Sequence, residues 1–440
     1  MNYTETLDYI HGINRYAHKD GLDNIRRLMR EQGDPQDSLR FVHIAGTNGK
    51  GSTAAFVASI MRAAGYRTGL YTSPYLRRFT ERIRVDGAEI PEGDVVRITE
   101  TVRKAIGKIT AGDGTHPTEL EVVAAIAFLY YRQEKCDVVA FEVGLGGRFD
   151  PTNVIKTPLA AVIATIDYDH TAKLGNTLEE IAFEKAGIIK EGGDVILYQQ
   201  NDSVRGVFER KAADVGARLT VCDFSGIRRE AYGTGGQRFG YGARDGLEIT
   251  LLGDYQTRNA ALAIETVDTI NKNAGCGIRV TEDALRLGLK SARWPGRMEI
   301  ISENPTVVID AAHNAQCARA LGETLTKYFP GRELIYIFGV VRDKDVNGII
   351  DATLPLASAV FTVTTDSKRA VGAGELADML KERAGGDIKN RIWACGSVAD
   401  AAGRALKLAE GTDAVICAFG SLYYIGMLRD IFIGGTQDAI

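Results

Sequence analysis

The sequence predicts an α/β fold in two parts: a larger N-terminal domain with a mostly parallel sheet, and a smaller C-terminal α/β domain of doubly wound, Rossmann-like type. Three observations predict it. Short apolar runs bounded by turn residues recur, at 41–45, 136–141 and 159–166 among others, with helical patterns between them. The segment Arg293-Trp294-Pro295-Gly296-Arg297 breaks that alternation with a proline and a glycine, and a fresh strand–helix series follows it. At 440 residues the chain also exceeds one typical domain. The expected division is 1–293, a linker at 294–297, and 298–440.

The elements follow in order. Residues 3–16 and 22–31 carry helical patterns, and Gly33-Asp34-Pro35 turns the chain into the first strand. The apolar run 41–45 breaks into Gly46-Thr47-Asn48-Gly49-Lys50-Gly51-Ser52-Thr53, and 53–64 reads as a helix. Strand, glycine turn and helix start make an anion cradle of the P-loop ATPase type. Glycines let backbone N–H groups close on phosphate oxygens, and the helix end adds a partial positive charge. Lys50 adds a point charge, and Ser52 or Thr53 offers a hydroxyl to magnesium. The loop departs from the usual spacing: Ile44 stands where the first glycine is expected, and Gly51 separates Lys50 from Ser52.

A second strand, 67–71, is stopped by Thr72-Ser73-Pro74. The alternating segment 82–85 meets Asp86-Gly87, a hairpin signal. Helices are expected at 94–109 and 119–134, with a loop at 112–117. Strand 136–141 ends on Glu142, and strand 159–166 on Asp167-Tyr168-Asp169-His170. A helix at 177–186 carries Lys185. Strands at 195–198 and 218–222, an antiparallel patch in the glycine-rich 225–253, a helix at 255–272 and another capped by Thr281 complete the first domain. The second offers strands at 306–310, 334–341, 360–364, 392–394 and 414–419.

Composition bounds the chemistry. Forty-five percent hydrophobic residues against 25% charged is a soluble globular balance. A formal charge of −4 provides no general field for nucleic acid or a membrane surface, so an anionic ligand needs a local basic site. Cys136, Cys222, Cys276, Cys317, Cys395 and Cys417 are scattered without Cys-x-x-Cys spacing, which speaks against zinc or a redox pair. No apolar run approaches a membrane span, and the polar N-terminus is unlike an export signal, so a cytoplasmic protein is expected.

Open parallel sheets bind ligands at the carboxyl ends of their strands. Lys50, Ser52, Ser73, Glu142 and His170 all stand at such ends. Glu142 and Ser73 offer the oxygen donors magnesium prefers, and a neutral His170 imidazole can join them. Gly144-Leu145-Gly146-Gly147-Arg148, continued by Asp150-Pro151-Thr152-Asn153, implies a turn that lets backbone approach a ligand. Lys185, taken alone, reads as a solvated helix lysine. In the second domain Asp310 and His313 follow a strand, Arg342-Asp343-Lys344-Asp345 reads equally well as a charged surface loop, and the Gly420-Ser421 turn suits a carboxylate. These features point to ATP on one domain and a second substrate on the other. A nucleotide-binding switch would need only the loop.

The motifs Gly46 to Ser52, Glu142 to Arg148 and Glu184-Lys185-Ala186-Gly187-Ile188 resemble the folylpolyglutamate synthase / dihydrofolate synthase family of the Mur ligase superfamily. Trp294-Pro295-Gly296-Arg297, Asp310-x-Ala312-His313-Asn314 and Asp343-Lys344-Asp345 extend the resemblance over nearly the whole chain. It implies an ATP-dependent acid–amino-acid ligase. ATP phosphorylates a folate carboxylate, the amino group of L-glutamate attacks the acyl phosphate, and amide, ADP and phosphate result. The implied acceptor is a tetrahydrofolate polyglutamate chain, with dihydropteroate as a further one, and the implied state is a monomer.

Carried over by motif, Gly49, Lys50, Gly51 and Ser52 hold the ATP phosphates, and Asn259, Arg297 and Asp310 contact the nucleotide. Ser73, Glu142 and His170 hold magnesium, two ions in all. Lys185 is carbamylated and acts in catalysis with Lys50 and His313. Arg82, Glu121, Asp150 and Ser421 meet the substrates. Tyr75 replaces a usual histidine, 118–121 lacks a phenylalanine that would stand near the pteridine, and Ala311 and Ala315 replace glycine and proline. The competing readings are a cell-wall Mur ligase, a Mur-type amino-acid ligase unrelated to folate, and a non-catalytic ATP-binding module. A cell-wall ligase carries an N-terminal domain for its nucleotide-linked sugar, whereas 45 residues precede Gly46, below the roughly 50 of a typical domain.

Overall fold

The computed structural model describes residues 1–14, 21–113 and 116–434. Two compact units divide it: Met1–Arg228 with Phe239–Glu248 and Arg258–Ala292, and Arg229–Arg238 with Ile249–Thr257 and Arg293–Ile440. The first holds an eight-stranded sheet of β1 (Phe41–Ala45), β2 (Thr68–Tyr71), β3 (Ile83–Val85), β4 (Ala88–Glu89), β5 (Val138–Glu142), β6 (Ala160–Ile163), β7 (Asp194–Leu197) and β8 (Arg218–Val221). Their order is β4-β3-β2-β5-β1-β6-β7-β8. From β2 to β8 every neighbouring pair is parallel, and β3 adds antiparallel to both β2 and β4.

β1 and β5 are buried along their whole length, as strands covered on both faces must be, which is why they read as unbroken apolar runs. On one face the Phe141 ring lies 4.6 Å from Tyr71, 5.0 Å from Phe128 and 5.4 Å from Phe41. Each fully buried phenyl of this kind contributes roughly 2–3 kcal/mol. This cluster holds β1 and β5 side by side, so the loops at their carboxyl ends start from a rigid base.

Next come β9 (Ile227–Gly233), β10 (Gly236–Tyr241) and β11 (Arg244–Ile249), ordered β11-β10-β9. The second unit carries a sheet of β12 (Glu299–Glu303), β13 (Thr306–Ile309), β14 (Leu334–Phe338), β15 (Ala359–Thr362), β16 (Ile392–Ala394) and β17 (Val415–Phe419), ordered β12-β13-β17-β14-β15-β16. All its pairs are parallel except β12 with β13. The architecture is the α/β fold the strand–helix alternation predicts, a large mostly parallel sheet followed by a second α/β unit.

Several elements differ from expectation. The edge strand β12 went unpredicted because none of its residues is buried, four being half-buried and Glu303 exposed, so it shows no alternation. The helix Asp202–Asp214 was not anticipated either: it buries only Val204, Val207, Phe208 and Ala212, a thin stripe in a charged segment. The first helix ends at Gly12 rather than continuing to 16, with Ile13 extended as its C-cap; Arg15 and Tyr16 lie outside the described residues. The expected loop at 112–117 begins later, since the preceding helix runs Glu92–Asp113, and positions 114 and 115 lie outside the described residues. No described helix is long and apolar enough to cross a membrane.

Candidate active site

β1 ends at Ala45, and the chain turns through Gly46 to Gly49 into the helix Lys50–Ala63. Its N-cap is Gly49 at φ 83°, so no side chain caps the helix, and its first turn carries no acid. A Cβ on Gly49 would stand 2.7 Å from Asn259 Oδ1, which leaves glycine as the residue that fits. The helix end is therefore uncapped and uncompensated, the arrangement in which backbone N–H groups receive an anion. The loop is laced to the end of β6: Thr47 N–H donates to Thr165 O at 2.6 Å, and Thr47 Oγ1 donates to Asp167 O at 3.0 Å.

Two lysines converge on one carbonyl. Lys50 Nζ donates to Gly46 O and Thr47 O at 3.0 Å each, and Lys185 Nζ donates to Gly46 O at 2.9 Å. Glu142 Oε1 lies 4.0 Å from Lys50 Nζ. Lys185 sits on the helix Leu178–Ala186, but its side chain is buried, not solvated as spacing alone suggests. Burial, reinforced by the neighbouring Lys50 charge, lowers its pKa to about 7 against the opposing pull of Asp169. An amine that is half neutral near pH 7 is nucleophilic toward carbon dioxide. The sequence missed this because solvent exposure is not written in helical spacing.

Glu142 is buried at the end of β5 and accepts from Ser73 N–H at 3.3 Å. The position of a Cβ on Gly144 would be 3.7 Å from Ser73 Oγ, so strand end, glycine turn and Ser73 hydroxyl share one small volume. His170, at φ 50°, precedes the short helix Thr171–Leu174, and its Nε2 is 3.9 Å from Asp169. Among the described residues no three His, Cys, Asp or Glu side chains gather into a metal cluster. Glu142 and Ser73, which lie side by side, carry oxygen donors of the kind magnesium takes.

The residues assigned to substrate differ in what they already hold. Glu121 accepts from Ile25 N–H, Thr118 N–H and the Thr118 hydroxyl, at 3.1, 2.7 and 3.0 Å. Asp150 accepts from Leu145 N–H at 2.7 Å, Thr152 N–H at 3.0 Å and Thr152 Oγ1 at 2.5 Å. His43, buried in β1, meets the same Thr152 hydroxyl through Nε2 at 2.8 Å, and burial depresses its pKa to about 3. These groups shape the glycine turn and its neighbours. Arg82 is the opposite case. It is 4% exposed, its guanidinium faces the Tyr75 and Phe79 rings at 5.0 and 5.9 Å, and its Nε has no hydrogen-bond partner. A buried guanidinium held by rings with an unmatched N–H is poised for an anion.

In the second unit Asp310 follows β13 and is buried. Its oxygens accept from Met298 N–H and Ala312 N–H at 2.7 Å each. Burial raises its pKa, while the Arg297 charge pulls it down. His313 Nδ1 lies 2.8 Å from Ala311 O. A carbonyl only accepts, so Nδ1 carries a proton and the ring is oriented by that bond. Asn314 caps the helix Ala315–Tyr328 by accepting from Cys317 N–H. Ser421, buried after β17, accepts from Tyr423 N–H at 3.2 Å. Arg342 grips Glu375 with both nitrogens and Asp343 pairs with Arg369, while Asp345 caps the helix Val346–Thr353. The first unit thus gathers Lys50, Lys185, Glu142, Ser73 and Asn259 around one loop, and the second gathers Arg297, Asp310 and His313. Asp169 and Thr47 were not singled out from sequence; Asp169 stood within the polar end of β6 that was.

Known proteins resemble the chain over nearly its whole length. Residues 44–267 match the Mur ligase middle domain, and residues 296–422 the glutamate ligase domain of Mur ligases. A dihydrofolate synthase/folylpolyglutamate synthase of Bacillus subtilis is 35% identical over 97% of this chain and 98% of its own. The structure of Mycobacterium tuberculosis folylpolyglutamate synthase complexed with ADP superposes with a TM-score of 0.89 at 32% identity, covering 98% of each chain. A folylpolyglutamate synthase complex with AMPPCP and folate gives a TM-score of 0.83 at 32% identity, covering 99% of this chain and all of the other.

Proposed function

Because the chain belongs to the folylpolyglutamate synthase family of the Mur ligase superfamily, we infer that it is an ATP-dependent ligase that joins L-glutamate to a folate. The observation that carries the reading to this chain's own residues is the pair of lysines on Gly46 O beside Glu142. A carboxylate is a poor acyl donor, and phosphorylation by ATP turns its oxygen into a leaving group. Gly49, Gly51 and the helix start cradle the phosphates with Ser52, and Lys50 leaves its carbonyls to neutralise charge as the phosphoryl group moves. Asn259, Arg297 and Asp310 hold the nucleotide.

Arg82 takes a folate carboxylate, Glu121 and Asp150 stand at the wall of that site, and His313 and Ser421 receive L-glutamate. Ser73, Glu142 and His170 would hold magnesium, two ions in all, with Lys185 as a carbamate adding a negative oxygen donor. When bound, magnesium screens phosphate charge. Residues 1–293 form the ATP-binding part, 298–440 the glutamate-ligase part and 294–297 the link. The protein works as a cytoplasmic monomer on small molecules.

The test supplies the full chain with ATP, magnesium, L-glutamate and either tetrahydrofolate or dihydropteroate, and follows phosphate release. Release that requires both glutamate and a folate is the expected result. ATP binding without glutamate-dependent release would overturn the reading, and the ratio between the two acceptors fixes which folate is used.

A further inference from the structure

β1 buries one residue that its place in the sheet does not ask for. Phe41, Val42, Ile44 and Ala45 are apolar, and His43 stands among them fully buried, in register with Phe141 of β5 and Ala161 of β6. Taking an imidazole out of water costs free energy unless its nitrogens are matched. His43 is half matched. Its Nε2 meets the Thr152 hydroxyl at 2.8 Å, while Nδ1 is buried and has no hydrogen-bond partner among the described residues. Burial, reinforced by the Lys190 charge, keeps the ring neutral, so one nitrogen carries the proton.

The neighbours decide which nitrogen. Asp150 accepts at Oδ1 from Thr152 N–H and from the Thr152 hydroxyl, and at Oδ2 from Leu145 N–H. Burial raises the Asp150 pKa, and these donors oppose it by favouring the carboxylate. The Thr152 proton therefore goes to Asp150, and the Thr152 oxygen is left to receive Nε2–H of His43. The opposite tautomer would bury an unmatched N–H, a rarer defect than an unmatched lone pair. Donation thus runs from His43 through Thr152 to Asp150 and ends in the glycine turn after Glu142. A Cβ on Gly144 would stand 3.2 Å from Asp150 Oδ2 and 3.7 Å from Ser73 Oγ. Further along the same turn, Arg148 N–H donates to Glu184 O at 2.7 Å and Asn153 Nδ2 to Gly187 O at 3.0 Å, and these two carbonyls flank Lys185 in sequence.

We propose that His43 is a positioning residue for this turn: its Nε2–H, acting through the Thr152 hydroxyl, orients the Asp150 carboxylate, which sets the backbone between Glu142 and the helix end bearing Lys185. With no surface exposed, His43 acts on the site only through Thr152 and Asp150. The relay of hydrogen bonds stands on the geometry alone, whereas its effect on turnover rests on the ligase reading above. A group misplaced by about 1 Å can cost roughly 10²-fold in rate, so an interior imidazole can govern a site it does not reach.

The test pairs each deletion with a conservative change in the full chain. Thr152→Val and His43→Leu each remove a link. Thr152→Ser keeps the hydroxyl, and His43→Gln places an amide nitrogen as many bonds from the backbone as Nε2. The kcat of glutamate-dependent phosphate release should fall roughly 10–100-fold in the two deletions while KM for ATP stays within about threefold, and the conservative variants should recover most of the loss. His43→Leu added to Thr152→Val should change little further, since both cut one relay. Hydrogen exchange of the peptide 143–150, read by mass spectrometry, should speed up in the deletions and return in the conservative variants. In spectra of nitrogen-labelled histidine, the His43 signal, identified by its loss in His43→Gln, should show a protonated Nε2 and a bare Nδ1. If His43→Leu does not fold, the Thr152 pair decides alone. Unchanged kcat and exchange in the deletions, equal losses in Thr152→Val and Thr152→Ser, or a protonated Nδ1 overturns the proposal. Faster exchange with conservative rescue in a chain without glutamate-dependent turnover would uphold the relay and remove the ligase reading, so the two fail separately.

Discussion

β1 and β13 are built alike and finish differently. Each is a buried strand with a parallel neighbour, and each leads through a polar turn into a 14-residue helix, Lys50–Ala63 after β1 and Ala315–Tyr328 after β13. After β1 the N-cap is a glycine without a side chain, and two ammonium groups rest on one carbonyl. After β13 the N-cap is Asn314, whose side chain closes the helix end, and the turn holds a carboxylate between two backbone N–H groups. The first end is left open for an anion to complete. The second has satisfied itself and offers one oriented imidazole. The same strand–turn–helix unit therefore serves as a receptor or as a scaffold, according to whether its cap is supplied from within.

Removing the open end's charges should have the largest effect. Lys50→Ala and Glu142→Ala should each lower glutamate-dependent phosphate release by about 10³-fold or more, with the folded circular dichroism spectrum retained. Near-normal turnover in either variant would mean the anion is held elsewhere. The pH dependence of Lys185 comes next. Its folded pKa, about 7, lies below the ordinary lysine value of 10.5, so between those values the unfolded chain binds the extra proton. Stability should therefore climb as pH rises from about 7 toward 10.5, by on the order of 4 kcal/mol in carbonate-free buffer, and Lys185→Met should flatten the curve. A parallel slope in the variant would assign the effect to other groups. In bicarbonate the carbamate mass should appear on Lys185 at pH 8 and fade at pH 6; an unmodified, fully active protein would rule the carbamate out.

Smaller effects compare the two caps. Gly49→Ala places a Cβ at positive φ and against Asn259 Oδ1, and should cost about 1–2 kcal/mol in denaturant unfolding together with much of the ATP affinity. Asn314→Ala removes an internal cap, and should cost about 1 kcal/mol of stability while ATP affinity, read by titration, stays unchanged. If Asn314→Ala instead weakened ATP as much as Gly49→Ala, the contrast between receptor and scaffold would be wrong.

Much of this was legible from residue order. Burial on both faces obliges β1 and β5 to be apolar, and the demand for an uncapped helix after β1 obliges glycines around Lys50, so the phosphate loop and Glu142 could be placed by pattern. The β3–β4 hairpin was legible because Asp86-Gly87 has few other uses. β12 and the helix Asp202–Asp214 were not, because the first has no buried stripe and the second only a thin one, and both are fixed by neighbours distant in sequence. Asn259 was named only through the family resemblance: nothing within the helix Asp254–Lys272 marks it, and its contact with Gly49 exists only once that helix lies beside the loop.

By itself, then, the amino-acid order determined the buried strands, the loop chemistry and the set of polar groups at the strand ends, because these follow from local periodicity and from which residues tolerate a turn. Only the tertiary structure decided their charge states. Lys185 is a helix lysine by spacing and a half-neutral amine by burial beside Lys50. Glu121 and Asp150 are carboxylates by sequence and backbone acceptors by surroundings, while Arg82 alone among the substrate candidates keeps a buried, unmatched N–H. Desolvation and pairing depend on what three dimensions bring within a few ångströms, and no order of residues along one dimension contains that information locally.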